Sequence, residues 1–126
     1  MGIISTENAP AAIGPYVQGR SSANLLFLSG QIALGPQTGE LVGNTIEQQT
    51  EQVMANIGAL LAAAHIDFSH VVKTTCYLAH IEDFAAFNDV YARSFDDERP
   101  ARSAVGVAAL PKGALVEVEV VAQVGE

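Results

Sequence analysis

Residues 70–79 read HVVKTTCYLA. Apolar and polar side chains alternate through the stretch, the period of a strand half-buried in a sheet. One face would carry Val72, Thr74, Cys76 and Leu78, and the other Lys73, Thr75 and Tyr77. A helical pattern lies on each side. Upstream, Thr45 followed by Gln48 fits a capping box, and Ile46, Val53, Met54, Ile57, Leu60, Leu61 and Ala64 then recur at helical spacing. Downstream, Phe84, Phe87, Tyr91 and Phe95 form the apolar stripe of a helix over roughly 82–96.

Further out, both ends read as strands. Residues 13–22, IGPYVQGRSS, start with turn-forming Gly14-Pro15 and run on as a strand, and Ala23-Asn24 suits a turn. Residues 25–34, LLFLSGQIAL, are an apolar strand interrupted by Ser29-Gly30-Gln31. The glycine predicts a bulge or a close backbone approach there. GPQTGE at 35–40 is rich in turn formers, and ELVG reads as a short hairpin arm. Towards the other end, RPARSAVGVAAL (99–110) reads as a buried strand headed by Arg102. A turn at Pro111-Lys112-Gly113 and a last strand, ALVEVEVVAQV, follow. The order βββ-α-β-α-ββ predicts an α+β fold with two helices on one face of a mixed sheet. AVGVAAL and LLFL are apolar on both faces, and one layer of helices covers only one. A homo-oligomer that buries the second face is therefore expected.

A chain of 126 residues suits a single domain, here 1–126, and is long enough to bury a core. The apolar runs are too short to span a membrane. MGIISTENAPAAIGPY lacks the basic start and continuous apolar core of a secretory signal. MGIIST matches the short myristoylation pattern with nothing else to support anchoring. The single cysteine, Cys76, cannot form an intrachain disulfide, which fits a reducing cytoplasm. A net charge of −8 with six scattered Lys/Arg argues against a nucleic-acid surface. His65, His70 and His80 show no metal-ligand spacing. There is no nucleophile elbow or phosphate loop, and Cys76 reads as a small buried hydrophobe.

What remains is a set of polar groups in apolar strands: Arg102, Ser103, Glu117, Glu119, Ser29 and Tyr16. A buried guanidinium needs an anionic partner. Two readings stand open for Arg102. In one it pairs with Glu117 or Glu119. In the other its fork holds a ligand carboxylate. If residues 99–110 and 114–124 form a hairpin around a two-residue turn, Glu117 lies opposite Gly106. Arg102 and Glu117 then share a face at about 13 Å, where a direct pair is strained and a small molecule held between them fits better, whereas a three-residue loop would put them on opposite faces unless a bulge intervenes.

These residues resemble a known family. IGPY-x-Q, LSGQI, NDVYARSF and, above all, RPARS-x-V with LPKG and VEVEVVA are similar to the Rid family of reactive intermediate deaminases, also called the YjgF family. The resemblance runs over essentially the whole chain. It implies a chorismate-mutase-like fold, a homotrimer with sites between subunits, and no metal or organic cofactor. It implies hydrolysis of 2-imino acids such as 2-iminobutanoate and 2-iminopropanoate, and of their enamine tautomers, to 2-oxo acids and ammonia. By position, Arg102 matches the carboxylate-binding arginine and Glu117 the glutamate that positions or activates water. Tyr16, Ser29, Gly30 and Asn88 match pocket positions, and Ala104 a backbone contact. Ala104 stands where the archetype usually has cysteine, and Gly106 where it has glutamate. The alternatives are a larger imine or enamine, such as a 2-aminomuconate-like compound, or a non-enzymatic holdase. A ribonuclease role fits the acidic charge least.

Overall fold

A computed structural model describes residues 2–125. Met1 and Glu126, the end residues of the expected domain, lie outside the described residues. The strands are β1 (Ile3–Ile4), β2 (Gly19–Ser22), β3 (Leu25–Gln31), β4 (Val71–Leu78), β5 (Ala101–Gly106) and β6 (Val116–Gln123), with helices α1 (Ile46–Ala63) and α2 (Phe84–Tyr91). They form one sheet in the order β1-β2-β3-β6-β4-β5. Only β4–β5 is parallel, so the sheet is mixed as the element order predicts.

The alternation in VEVEVV places Val116, Val118, Val120 and Ala122 of β6 in the core. They pack with Leu26 and Leu28 of β3, Cys76 and Leu78 of β4, and the apolar stripes of both helices. From α1 come Val53, Ile57, Leu60 and Leu61, all fully buried. Each such side chain contributes about 1.5–3 kcal/mol of apolar burial. Thr45 caps α1, its Oγ1 accepting from the Gln48 amide at 3.1 Å. The box closes one residue early, because Gln48 Oε1 accepts from Asn44 N at 3.0 Å. From α2, Phe87 and Tyr91 stack in a ladder that Phe95 continues.

Buried polar side chains pin the loops to this core. Gln18 holds residues 6–10 through bonds to the Thr6 amide and to the Thr6 and Pro10 carbonyls. Gln49 of α1 donates to Gly43 O and accepts from Leu115 N, fixing the entry to β6. Among the described residues, no buried side-chain nitrogen or oxygen lacks a partner, as the cost of leaving one unpaired requires.

Four details differ from the sequence reading. ELVG forms no hairpin arm beyond a single bridge, Leu34 with Leu41, and the additional N-terminal strand is β1. Val72 leaves the inner face of β4: a register shift between Val71 and Lys73 puts Val71 inside and Val72 out. The second helix is shorter than 82–96, because 3₁₀ turns occupy 81–83 and 92–94. The largest difference is that β5 and β6 are not a hairpin. β4 lies between them, and Glu117 stands opposite Tyr77 instead of Gly106. The connection crosses the end of β4, where Val107 N donates to Leu78 O and Ala79 N to Leu115 O. β4 thus takes a partner on each side, which a direct hairpin would have denied it.

β5 is consequently an edge strand, and its apolar run is largely exposed instead of buried. The sheet face away from the helices is also uncovered in the single chain, with Phe27 47 % and Val105 44 % exposed.

Candidate functional site

The Ser29-Gly30 interruption is a bulge: β3 and β6 lose register between Leu28 and Gln31. Ser29 is tied on both sides, its amide donating to Gln18 O at 2.9 Å and its hydroxyl to Val17 O at 2.6 Å. Gly30 leaves room for Glu117 of β6 to lie over it. A Cβ at position 30 would come within 3.0 Å of Glu117 Cδ. Gly14, at φ 133°, turns the preceding loop so that Tyr16 Oη accepts from Ile13 N. Tyr16, Ser29, Gly30 and Glu117 then line one cleft of about 520 Å³, with Ile13, Pro111 and Lys112 among its other walls.

Glu117 shares the open face of the sheet with Glu119, which accepts a short hydrogen bond from Tyr77 Oη. Burial raises the proton affinity of the Glu117 carboxyl above the ordinary carboxylate value, and the nearby Glu119 charge adds to the rise. Tyr77 is held above the usual phenol range chiefly by that bond to Glu119. The Glu117 carboxylate thus sits at a cleft wall and holds protons more tightly than usual, the kind of environment in which a carboxylate can do acid–base work.

Arg102 lies elsewhere. Its register partner is Thr74, whose hydroxyl is buried against Tyr91 Oη at 2.7 Å on the helical side. The guanidinium therefore meets α2. Nη1 donates to Asn88 Oδ1 at 2.7 Å, and the cation lies 5.3 Å from the Phe84 ring centroid and 5.0 Å from that of Tyr91. Asn88, Tyr91, Ala92, Phe95, Arg99, Pro100 and Arg102 line a second cavity of about 370 Å³.

The pairing of Arg102 with Glu117 or Glu119 is absent. The two-residue turn that would put Arg102 and Glu117 on one face does not form, and the two point to opposite sides of the sheet. They lie two strands apart and are offset by three residues along β4, about 14 Å between backbones. Ala104 lies on the Arg102 face beside Cys76 and lines neither cavity. Gly106 opens neither cavity. It accommodates Ile81, whose Cβ would lie 3.2 Å from a Cβ at position 106. Cys76 is fully buried, and burial pushes its thiol up to about 11, so it is not a reactive nucleophile. Among the described residues, no group of three or more His, Cys, Asp or Glu is arranged to hold a metal ion.

A family model described as endoribonuclease L-PSP matches residues 6–124. A goat (Capra hircus) protein named 2-iminobutanoate/2-iminopropanoate deaminase is 49 % identical, covering 98 % of this chain and 90 % of the relative. A Yersinia pestis structure, described as a protein of unknown function of the conserved Rid family, superposes with a TM-score of 0.94 at 50 % identity, with 98 % of each chain covered. The chain belongs to the Rid family. A Lactococcus lactis relative whose name proposes a regulatory role, AldR, is 62 % identical, with 98 % of each chain covered.

In this Rid protein, sequence reasoning missed the aromatic seat of Arg102. Phe84 and Tyr91 were read only as core stripe, although their spacing of seven residues places both rings on the α2 face that Arg102 meets. It also missed Lys112 in the Glu117 cleft. The signal for that was weak, since Lys112 occupies a left-handed position (φ 58°) that the Pro-Lys-Gly turn only partly announces.

Proposed function

We propose that this chain, as a single domain, is an imine deaminase that hydrolyses small 2-imino acids such as 2-iminobutanoate and 2-iminopropanoate, and their enamine tautomers, to 2-oxo acids and ammonia. The observation that carries the proposal is the Glu117 carboxyl. It is seated over Gly30 of the bulge, beside a cleft, with raised proton affinity. The goat relative's name supports the substrate class.

Arg102 takes the substrate carboxylate with its planar fork, while Asn88 and the two rings hold the guanidinium in place. Glu117 accepts a proton from water as the water oxygen bonds to the C=N carbon. The carbinolamine that forms breaks its C–N bond and releases ammonia, leaving the C=O of the 2-oxo acid. Imines already hydrolyse in water, so positioning supplies much of the gain.

One chain cannot bring both groups to one small molecule, because they point to opposite sides of the sheet. In our reading the site is completed between subunits of a homotrimer. The Arg102 edge of one chain faces the Glu117 cleft of the next, with Tyr16, Ser29, Gly30 and the Ala104 backbone closing round the ligand. The uncovered apolar residues Phe27 and Val105 support such an assembly. The lone buried thiol fits a reducing cytoplasm. The family model's ribonuclease description finds little support in a chain with 14 acidic and six basic residues.

Kinetics on freshly generated 2-iminobutanoate test the reading. Wild type accelerates deamination, and Arg102→Ala lowers kcat/KM about a hundredfold or more. An Arg102→Ala protein as fast as wild type overturns the anchor.

A further inference from the structure

The cavity beside Arg102 contains a second arginine that the mechanism does not use. Arg99 and Arg102 both line it, and no acidic side chain does. Two of the chain's six basic residues thus meet at one cavity in a protein of net charge −8. Neither has a carboxylate within ion-pair distance among the described residues, where the salt bridges are His70–Asp67 and Arg93–Glu51. The other walls are Asn88, Tyr91, Ala92, Phe95 and Pro100. A recess of one charge sign with low-dielectric walls concentrates field on whatever enters it. Pro100 fixes the backbone between the two arginines. The two arginines stand three residues apart in the sequence, and both line this cavity. Arg99 also forms part of the wall towards a neighbouring cavity, with His70, Val72 and the acidic Glu98, so it stands at the rim and not at the floor.

We infer that Arg99 is a specificity-determining residue that binds a second carboxylate, so that the site favours imines of 2-oxo dicarboxylic acids over monocarboxylic ones. This rests on the reading of Arg102 as the anchor. Arg102 holds the carboxylate next to the C=N carbon, and Arg99 holds the distal one. The C=N carbon between them stays open to water. The hydrolysis is unchanged: one water is consumed and one ammonia released for each 2-oxo dicarboxylate formed.

The test compares 2-iminoglutarate with 2-iminopropanoate, each generated in situ by an amino-acid oxidase and followed by trapping with semicarbazide. Wild type is expected to show the higher kcat/KM on 2-iminoglutarate. In Arg99→Ala the ratio of the two kcat/KM values falls about tenfold or more, the loss of one charge-assisted carboxylate contact. Arg99→Lys recovers part of the ratio because it keeps the charge without the fork. The same ordering is expected for equilibrium binding of 2-oxoglutarate against 2-oxobutanoate, measured by calorimetry. A ratio that is unchanged in Arg99→Ala, or that already favours 2-iminopropanoate in wild type, overturns the role of Arg99 and leaves the deaminase reading standing. A wild-type protein that hydrolyses neither imine overturns both.

Discussion

The two faces of the sheet divide the work. The helical face is closed over β3, β6 and β4 and opens at the β5 edge, where Arg102 meets α2 beside a cavity. Val116, Val118 and Val120 meet α1 and α2, and the polar groups beneath the helices, such as Thr74 and Asn56, find partners inside the chain. The opposite face leaves Phe27 and Val105 about half exposed and carries Glu117, Glu119 and Tyr77. One face makes the subunit stable, and the other is left unfinished. The same strand, β6, serves both with alternate residues, so the core and the role proposed for Glu117 are separable by single substitutions on it.

The strongest way to break this comparison is at the acid. Glu117→Gln should lower kcat/KM on 2-iminobutanoate by about 10²–10⁴-fold, the usual worth of a positioned base, with thermal stability nearly unchanged. Should the variant stay within a few-fold of wild type, Glu117 is not the base. On the other face, Ile57→Ala should cost about 2–5 kcal/mol in urea unfolding while the kcat/KM of the folded fraction stays close to wild type. A stability loss well under 1 kcal/mol would mean that the closed face is not the source of stability.

Two smaller effects sharpen the division. Phe27→Asp should leave a folded subunit, by circular dichroism, but lower the mass from that of the proposed trimer in analytical ultracentrifugation. An unchanged mass would show that this face is not what holds the copies together. The pH profile gives the finest probe. Burial and Glu119 raise the Glu117 pKa in the folded protein, so the folded state favours the protonated form. Activity that needs the carboxylate is therefore lost as pH falls through a midpoint above the ordinary carboxylate value. The stability owed to the raised pKa runs the other way, present at low pH and lost as pH rises through the folded pKa. Glu119→Gln removes one cause of the rise and should move the activity midpoint to lower pH. A midpoint that does not move would assign the shift to burial alone.

Much of this was legible in local pattern. The alternation of VEVEVV, the spacing from Ile46 to Ala64 and the glycine in LSGQI each specify a face, a helix or a bulge through neighbouring residues. The pairing of β5 with β4 was not legible, because it depends on partners about thirty residues apart in the chain, and a short loop reads most simply as a hairpin. The site showed the same limit. Arg102 and Glu117 were identifiable as polar groups in apolar strands, but the sheet side each occupies follows from strand order. The aromatic seat under Arg102 was hidden because a ring that packs in a core and a ring that carries a cation have the same spacing.

β6 is the last strand in the sequence, yet it sits inside the sheet, between β3 and β4. The β1–β3 unit and the β4–β5 pair have no direct seam with one another. Each keeps an unpaired inner edge until residues 116–123 slot between them. β6 is thus the strand that closes the sheet. Translation that stalls near residue 115 would leave two open sheet edges of the kind that recruit other chains.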